Sequence, residues 1–169
     1  MSSIDLRRLK IQSGEQFRED REVELEALEL GGQRYLPIPA EVDAELAIIR
    51  GTSGTTFELG FPARLHGPCY RCLKDAVLDL SIRAREYQAT SPGESEELRT
   101  PYVADNQLQL SDWARDAIAV ELPQQILCRP DCAGLCPTCG EDLNENPHEH
   151  EDDRPDPRWA ALEQLKEKL

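Results

Sequence analysis

The stretch Phe57-Glu-Leu-Gly-Phe61-Pro-Ala63-Arg-Leu65-His-Gly-Pro-Cys69-Tyr-Arg-Cys72, continued by Leu78-Asp-Leu80-Ser-Ile82-Arg-Ala84-Arg85, decides the fold. Apolar residues at 57, 59, 61, 63 and 65, and again at 78, 80, 82 and 84, recur at the period of strands with one buried face. Gly67-Pro68 suits a chain reversal just before Cys69. The two strands are therefore expected to pair antiparallel, with the Cys-x-x-Cys knuckle at the hairpin tip. Pro62 lies on the outward side and predicts an edge position or a bulge for the first strand. Asp79, Ser81, Arg83 and Arg85 occupy the outward side of the second.

Upstream, Val42, Ala44, Leu46 and Ile48 alternate with polar residues after Pro37-Ile-Pro39, and Gly51-Thr-Ser-Gly54 turns the chain into the hairpin. Val23, Leu25 and Ala27 begin another strand; Leu28 and Leu30 shift its phase, and Gly31-Gly32 marks a turn. Residues 90–107, with Pro92-Gly93 and three glutamates, read as a solvated loop, and Leu108 and Leu110 as a short strand. Ser111 is placed to cap a helix over 111–122 with Asp112 in its first turn. Trp113, Ala114, Ala117, Ile118 and Leu122 recur at helical spacing, and Pro123 stops it. Asp156-Pro157 opens a last helix over 157–168, whose stripe of Trp159, Leu162, Leu165 and Leu169 is expected to pack on the core.

The fold class is thus α+β: an antiparallel sheet curled toward a barrel, a mid-chain helix, a C-terminal helix and loops held by zinc. Residues 1–21 form a charged N-terminal arm, 22–127 the sheet and helix core, 128–156 a Cys/His metal-binding loop region, and 157–169 the C-terminal helix. A chain of 169 residues suits one main core, but only 5% of it is aromatic, so metal cross-links would supply order that packing does not.

Six cysteines form three tight pairs, Cys69/Cys72, Cys128/Cys132 and Cys136/Cys139, and His148-Glu-His150 follows the last. Pairs at this spacing let two sulfurs of one turn reach a single tetrahedral ion, whose thiolates stand about 3.7 Å apart. Two partitions are open. In one, Cys69, Cys72, Cys128 and Cys132 hold one zinc and Cys136, Cys139, His148 and His150 a second, which uses all eight ligands. In the other, Cys69/Cys72 and Cys136/Cys139 form a single zinc ribbon, leaving Cys128 and Cys132 as spectators. His66, within a strand, reads as an ordinary histidine.

Neither an apolar leader behind Arg7-Arg8 nor a membrane-length apolar run is visible, which points to the cytoplasm, where clustered thiols hold metal rather than form disulfides. A net charge of −14 opposes broad binding to nucleic acid and favours a basic protein as partner, although Arg83 and Arg85 could form a local basic patch. Thiolate-rich closed sites are structural, and the sequence has no His-Glu-x-x-His, Gly-x-Ser-x-Gly or phosphate-binding glycine loop, so no enzymatic activity is expected. Two other readings of the cysteines are a thiol-based redox sensor and a zinc-ribbon transcriptional regulator. Oxidant-insensitive zinc would count against the first, and absence of sequence-specific DNA binding against the second.

Several motifs in order resemble the YceD family of large ribosomal RNA subunit accumulation proteins. They are Cys69-Tyr-Arg-Cys72-Leu73 after an apolar strand, Val120-Glu-Leu-Pro123, Cys132-Ala-Gly-Leu-Cys136-Pro-Thr-Cys139-Gly140, and Asp156-Pro-Arg-Trp159 with Leu162 and Leu165. The likeness runs from about residue 42 onward. In many such proteins a Cys-x-Cys stands in the place of His148-Glu-His150, so the resemblance implies a second zinc site there. It likewise implies pairing of Cys69/Cys72 with Cys128/Cys132. It implies a role in accumulation of large-subunit (23S) ribosomal RNA and in ribosome assembly. Joined to the acidic charge, it points to a large-subunit precursor reached through a basic ribosomal protein, with direct RNA contact confined to the arginine patch.

Overall fold

The computed structural model describes residues 2–91 and 98–150. The expected C-terminal helix over 157–168 lies outside them, as do 151–156 and the glutamates of the 90–107 loop. Strands β1 (Ser3–Asp5), β2 (Gln16–Glu24), β3 (Leu28–Leu30), β4 (Gln33–Pro37), β5 (Glu41–Arg50), β6 (Gly54–Pro68), β7 (Asp75–Ala89), β8 (Val103–Ala104) and β9 (Gln107–Gln109) precede α1 (Leu110–Glu121). A 3-10 turn spans Leu6–Arg8.

The long β6 is the axis of the main sheet. It pairs with β7 along its whole length, from Gly54 opposite Ala89 to Pro68 opposite Asp75. On its other side β5 covers Thr55 to Gly60 and β4 covers Leu65 and His66. The sheet therefore branches, with β2 added beyond β5 and β3 beyond β4. Pro62 falls in the interval between the two branches. The expected edge position is thus replaced by a central strand whose proline sits where one side has no ladder partner, which meets the same requirement for a missing N–H.

The sheet does not close into a barrel. Its strand order runs β2-β5-β6-β4-β3 with β7 paired to β6, so β2 and β7 remain edges. Helix α1 packs against both β7 and β2, taking the place that a closing strand pair would need. Phe57, Leu59, Phe61, Ala63 and Leu65 of β6, Ala44, Leu46 and Ile48 of β5, and Ile82 of β7 pack with Trp113, Ala114 and Ile118 of α1 in one buried cluster.

Several local expectations are corrected. Residues 3–5 and 16–21, read as an arm, lie in β1 and β2. Every residue of β2 from Arg18 to Glu22 is charged, and its half-buried positions include Glu19 and Arg21, which pair at 2.9 Å, so no apolar alternation announces it. Gly31 and Gly32, both at positive φ, make the tight turn of a β3–β4 hairpin. Within the expected loop, Asp105 and Asn106 at φ 50° and 62° turn β8 into β9, which then pairs with β1. The helix starts one residue early, and Ser111 is not its cap. The Ser2 carbonyl instead accepts from the amides of Leu110 and Ser111, while the buried Ser111 hydroxyl accepts from Ser2 N at 2.9 Å. Leu122, before Pro123, leaves the helix in an extended conformation.

Gly67 marks a close approach beside the knuckle. A Cβ there would collide with the ring of Tyr35, which is buried and whose hydroxyl donates to the Pro68 carbonyl at 2.9 Å. Gly67→Ala is expected to destabilise the protein by about 1–3 kcal/mol, the usual cost of overpacking. Urea unfolding against the parent protein measures it.

Candidate metal centres

The β6–β7 turn presents the first knuckle. The Cys69 amide donates to Lys74 O at 2.7 Å, and the Leu73 amide to Cys69 O at 3.0 Å, with Leu73 at φ 61°. The segment after α1 is brought alongside by the Tyr70 amide, which donates to the carbonyl of buried Ile126 at 2.8 Å. Cys128 and Cys132 follow. Sγ of Cys69 lies 3.8 Å from that of Cys132, and Sγ of Cys72 lies 3.6 Å from that of Cys128. All four donors lie within 4.8 Å of one another, three of them buried and Cys128 exposed.

The second knuckle is an analogous turn. The Gly140 amide, at φ 78°, donates to Cys136 O at 2.9 Å, and the Cys136 amide to Glu141 O at 2.8 Å. His148 Nε2 stands 3.1 Å from Cys139 Sγ, and its Nδ1 lies 2.8 Å from Asn146 O. Carbonyl contact at one ring nitrogen leaves the other free for a metal, as is usual for ligating histidines. His150 packs edge-on against His148 with ring centres 4.9 Å apart. Donors of Cys136, Cys139, His148 and His150 again lie within 4.8 Å of one another. Cys136 and Cys139 thus stand with the histidines rather than with Cys69 and Cys72.

The thiols show how each set could accept a cation. Burial raises Cys69, but the amides of Cys72, Cys128 and Arg71 outweigh it and bring the thiol down to about 6. The amide of Cys139, opposed by burial and helped by that of Thr138, brings Cys136 down to about 6. Cys72 is pushed up, first by burial. At Cys139 the Glu141 amide pulls the thiol down, but burial and the neighbouring Cys136 thiolate together outweigh it and raise it. The backbone thus supports one thiolate in each knuckle, and a bound dication would stabilise the rest. Either set could hold a metal ion.

A clamp that the sequence reading missed joins the two sets. Lys74, two residues beyond Cys72, pairs with Asp142 at 2.7 Å and Glu145 at 2.5 Å, inside the loop between the second set's ligands. Lys74 and then the Asn144 amide hold the Asp142 carboxyl down at about 2. Asn144 Oδ1 accepts from Ala133 N at 2.8 Å and from Arg129 at 2.7 Å, and its Nδ2 donates toward Cys132 Sγ at 3.6 Å. Arg71 donates to Cys132 O at 2.9 Å, and its own carbonyl accepts from Leu135 N. Asp142 and Glu145 read as part of a plain acidic stretch, and nothing periodic links them to Lys74. The only signal was a lysine beside the first knuckle in an acidic chain.

Fold and donor sets together define a sheet-based protein with two cysteine-rich sites competent to hold metal ions. The chain belongs to the YceD family, described as large ribosomal RNA subunit accumulation protein YceD, whose profile matches residues 58–166. An uncharacterized protein of Mycobacterium tuberculosis is 34% identical over 148 residues, 85% of this chain and 67% of that protein. YlbN of Bacillus subtilis, also uncharacterized, is 27% identical over 114 residues, 65% of each chain. A maize protein named large ribosomal RNA subunit accumulation protein YCED homolog 1, chloroplastic, is 44% identical over 41 residues, 24% of this chain and 14% of that one. The chain spans about two thirds of the length of the mycobacterial relative. No solved structure matches it.

Elemental analysis of the purified protein is expected to give two metal ions per chain, with Cys69→Ser and Cys139→Ser each losing one. Loss of every ion in both variants would instead indicate a shared site. Lys74→Ala, which frees the 142–145 loop, is expected to speed metal release to a chelator more from the second set, whose ligands the loop joins, than from the first, which it touches only through Asn144.

Proposed function

We propose that the protein is a noncatalytic, zinc-binding cytoplasmic factor that supports accumulation of large-subunit ribosomal RNA and assembly of the large ribosomal subunit. The observation that carries this reading is the pair of preformed donor sets within a chain of the YceD family. The maize relative's printed name points the same way.

Zinc is favoured by the donor chemistry. Sulfur spacings of 3.6 and 3.8 Å fit the edge of a tetrahedron with bonds of about 2.3 Å, and mixed thiolate and imidazole sets are characteristic of this ion. Its role here is structural: eight side chains fill both shells, which leaves no position for an activated water. The sites fasten a loop region that contributes few large apolar side chains to the core.

The partner is a basic protein of the large-subunit precursor. With −14 net charge, the chain repels phosphate and attracts cations. Arg83 and Arg85 are both exposed, but Arg85 Nε donates to Glu58 at 3.0 Å, and Asp20, Asp43 and Glu45 share the same shallow hollow. Direct RNA contact there is the lesser mode.

Depletion of the protein from its own cells is expected to lower large-subunit ribosomal RNA relative to small-subunit RNA and to enrich large-subunit precursors on sucrose gradients. The parent gene should restore the ratio, and a Cys72→Ser/Cys139→Ser gene should not. An unchanged RNA ratio after depletion would defeat the proposal.

A further inference from the structure

Two features of the outward sheet face are unused by the metal centres. The first is a ladder of like charges. Asp20 stands opposite Glu45, Glu22 opposite Asp43, and Glu24 opposite Glu41, in alternate pairings of β2 with β5. All six residues are exposed. Directly opposed like charges destabilise a sheet. The repulsion is felt at Glu22, whose carboxyl is raised by Glu41 and, more weakly, by Asp43. Arg18, Arg83 and Arg85 line the hollow beside Asp20, Asp43 and Glu45, but none of them stands opposite a ladder acid in the β2–β5 pairing.

The second feature is apolar. Leu36 and Val77 flank His66 in one cross-strand row of β4, β6 and β7, with 46% and 47% of their surfaces exposed. Ile38, 49% exposed, follows Leu36 and donates its amide to Arg64 O, the next outward position on β6. Gly60 and His66 share one face of β6 by strand alternation, so Glu45, opposite Gly60, shares that face with Leu36. Antiparallel pairing runs the acidic ladder from Gly60 in the direction of the apolar row. Exposed apolar clusters mark contact surfaces, and the carboxylates on the same sheet face, beyond Pro62 and the Asp79-paired Arg64, select the charge of what covers this one.

We propose that the outward face from the β2–β5 acidic ladder to the Leu36–His66–Val77 row is the docking surface for an extended basic protein segment that carries apolar residues among its lysines and arginines. The apolar row alone would not choose a partner, and the carboxylates alone would attract any cation. Together they require both properties in one ligand. RNA lacks the first and is repelled by the second. That the segment belongs to a large-subunit protein rests on the function proposed above; the chemistry of the surface does not.

The test uses the full-length, metal-loaded protein and a fluorescent synthetic peptide of alternating lysine and leucine. Controls are the same peptide with glutamate for lysine, the same with serine for leucine, and a short single-stranded RNA. Binding to the first probe alone is expected, weakening as salt is raised. Glu22→Lys, opposite Asp43 and beside Glu41, turns repulsion from both into attraction, so it should lose on the order of tenfold in affinity while its melting temperature holds or rises. Leu36→Ser/Val77→Ser, at exposed positions, should lose affinity with the circular dichroism spectrum unchanged. Equal affinity in parent and both variants, or preference for the RNA, overturns the proposal. Co-sedimentation with large-subunit precursors separates the two readings. If both variants co-sediment like the parent protein, the surface is wrongly placed and the assembly role stands. If the variants fail to bind peptide but depletion leaves ribosomal RNA unchanged, the surface stands and the assembly role falls.

Discussion

The ladder between β6 and β7 joins fifteen consecutive residue pairs, and almost everything else in the molecule is referred to it. Because side chains alternate strictly along a strand, this one register sends Leu59, Ala63 and Ile82 inward and Arg64, Arg83 and Arg85 outward together. A slip by one residue would exchange the faces. The same ladder ends at Pro68 and Asp75, so the turn that closes it must lie at 69–74 and must offer Cys69 and Cys72 from its tip. A long hairpin thus serves as a rigid mount for two sulfur atoms, and the segment after α1 is brought to that mount through Ile126.

Beyond residue 127 the means of holding structure changes. Sheet and helix are ordered by burial of aliphatic and aromatic side chains, whereas the 128–150 region contributes only Cys132 to the main buried cluster. Its order comes from turns around the knuckles, from Asn144 reaching across to Cys132, and from Lys74 gripping two carboxylates. These contacts would cost little further conformational freedom if the thiolates shared an ion. The second donor set is consequently built upon the first, since the loop between its ligands rests on the first knuckle.

Legibility followed the kind of interaction. Strands β5, β6 and β7 each carry an uninterrupted apolar face, so their phases and the hairpin tip could be read directly. β2 could not, because Glu19 and Arg21 occupy its half-buried positions and pair with each other. The β3–β4 hairpin was hidden behind the phase change at Leu28, with only Gly31-Gly32 visible. Closure into a barrel was misjudged for a different reason: alternation reports which face is buried and is silent on what covers an edge, and here α1 covers it. The eight donors were visible in the chain as closely spaced cysteines and histidines. Lys74, Asp142 and Asn144 were not, because an ion pair across about seventy residues leaves no period in the chain.

The interval around Pro62, where β6 leaves one branch and has not yet met the other, divides the molecule mechanically as well as topologically. No ladder bonds tie β5 to β4 across it, so the wing of β5 and β2 and the wing of β4 and β3 can open at different free energies while both stay attached to the central hairpin. The β3–β4 wing is the one beside the first knuckle, with the Tyr70 ring against the turn at Gly31. Its amide protons should therefore report the state of the thiolates, while those of the β5–β2 wing report the stability of the core. Hydrogen exchange would resolve the protein into two subunits of cooperativity sharing a single spine.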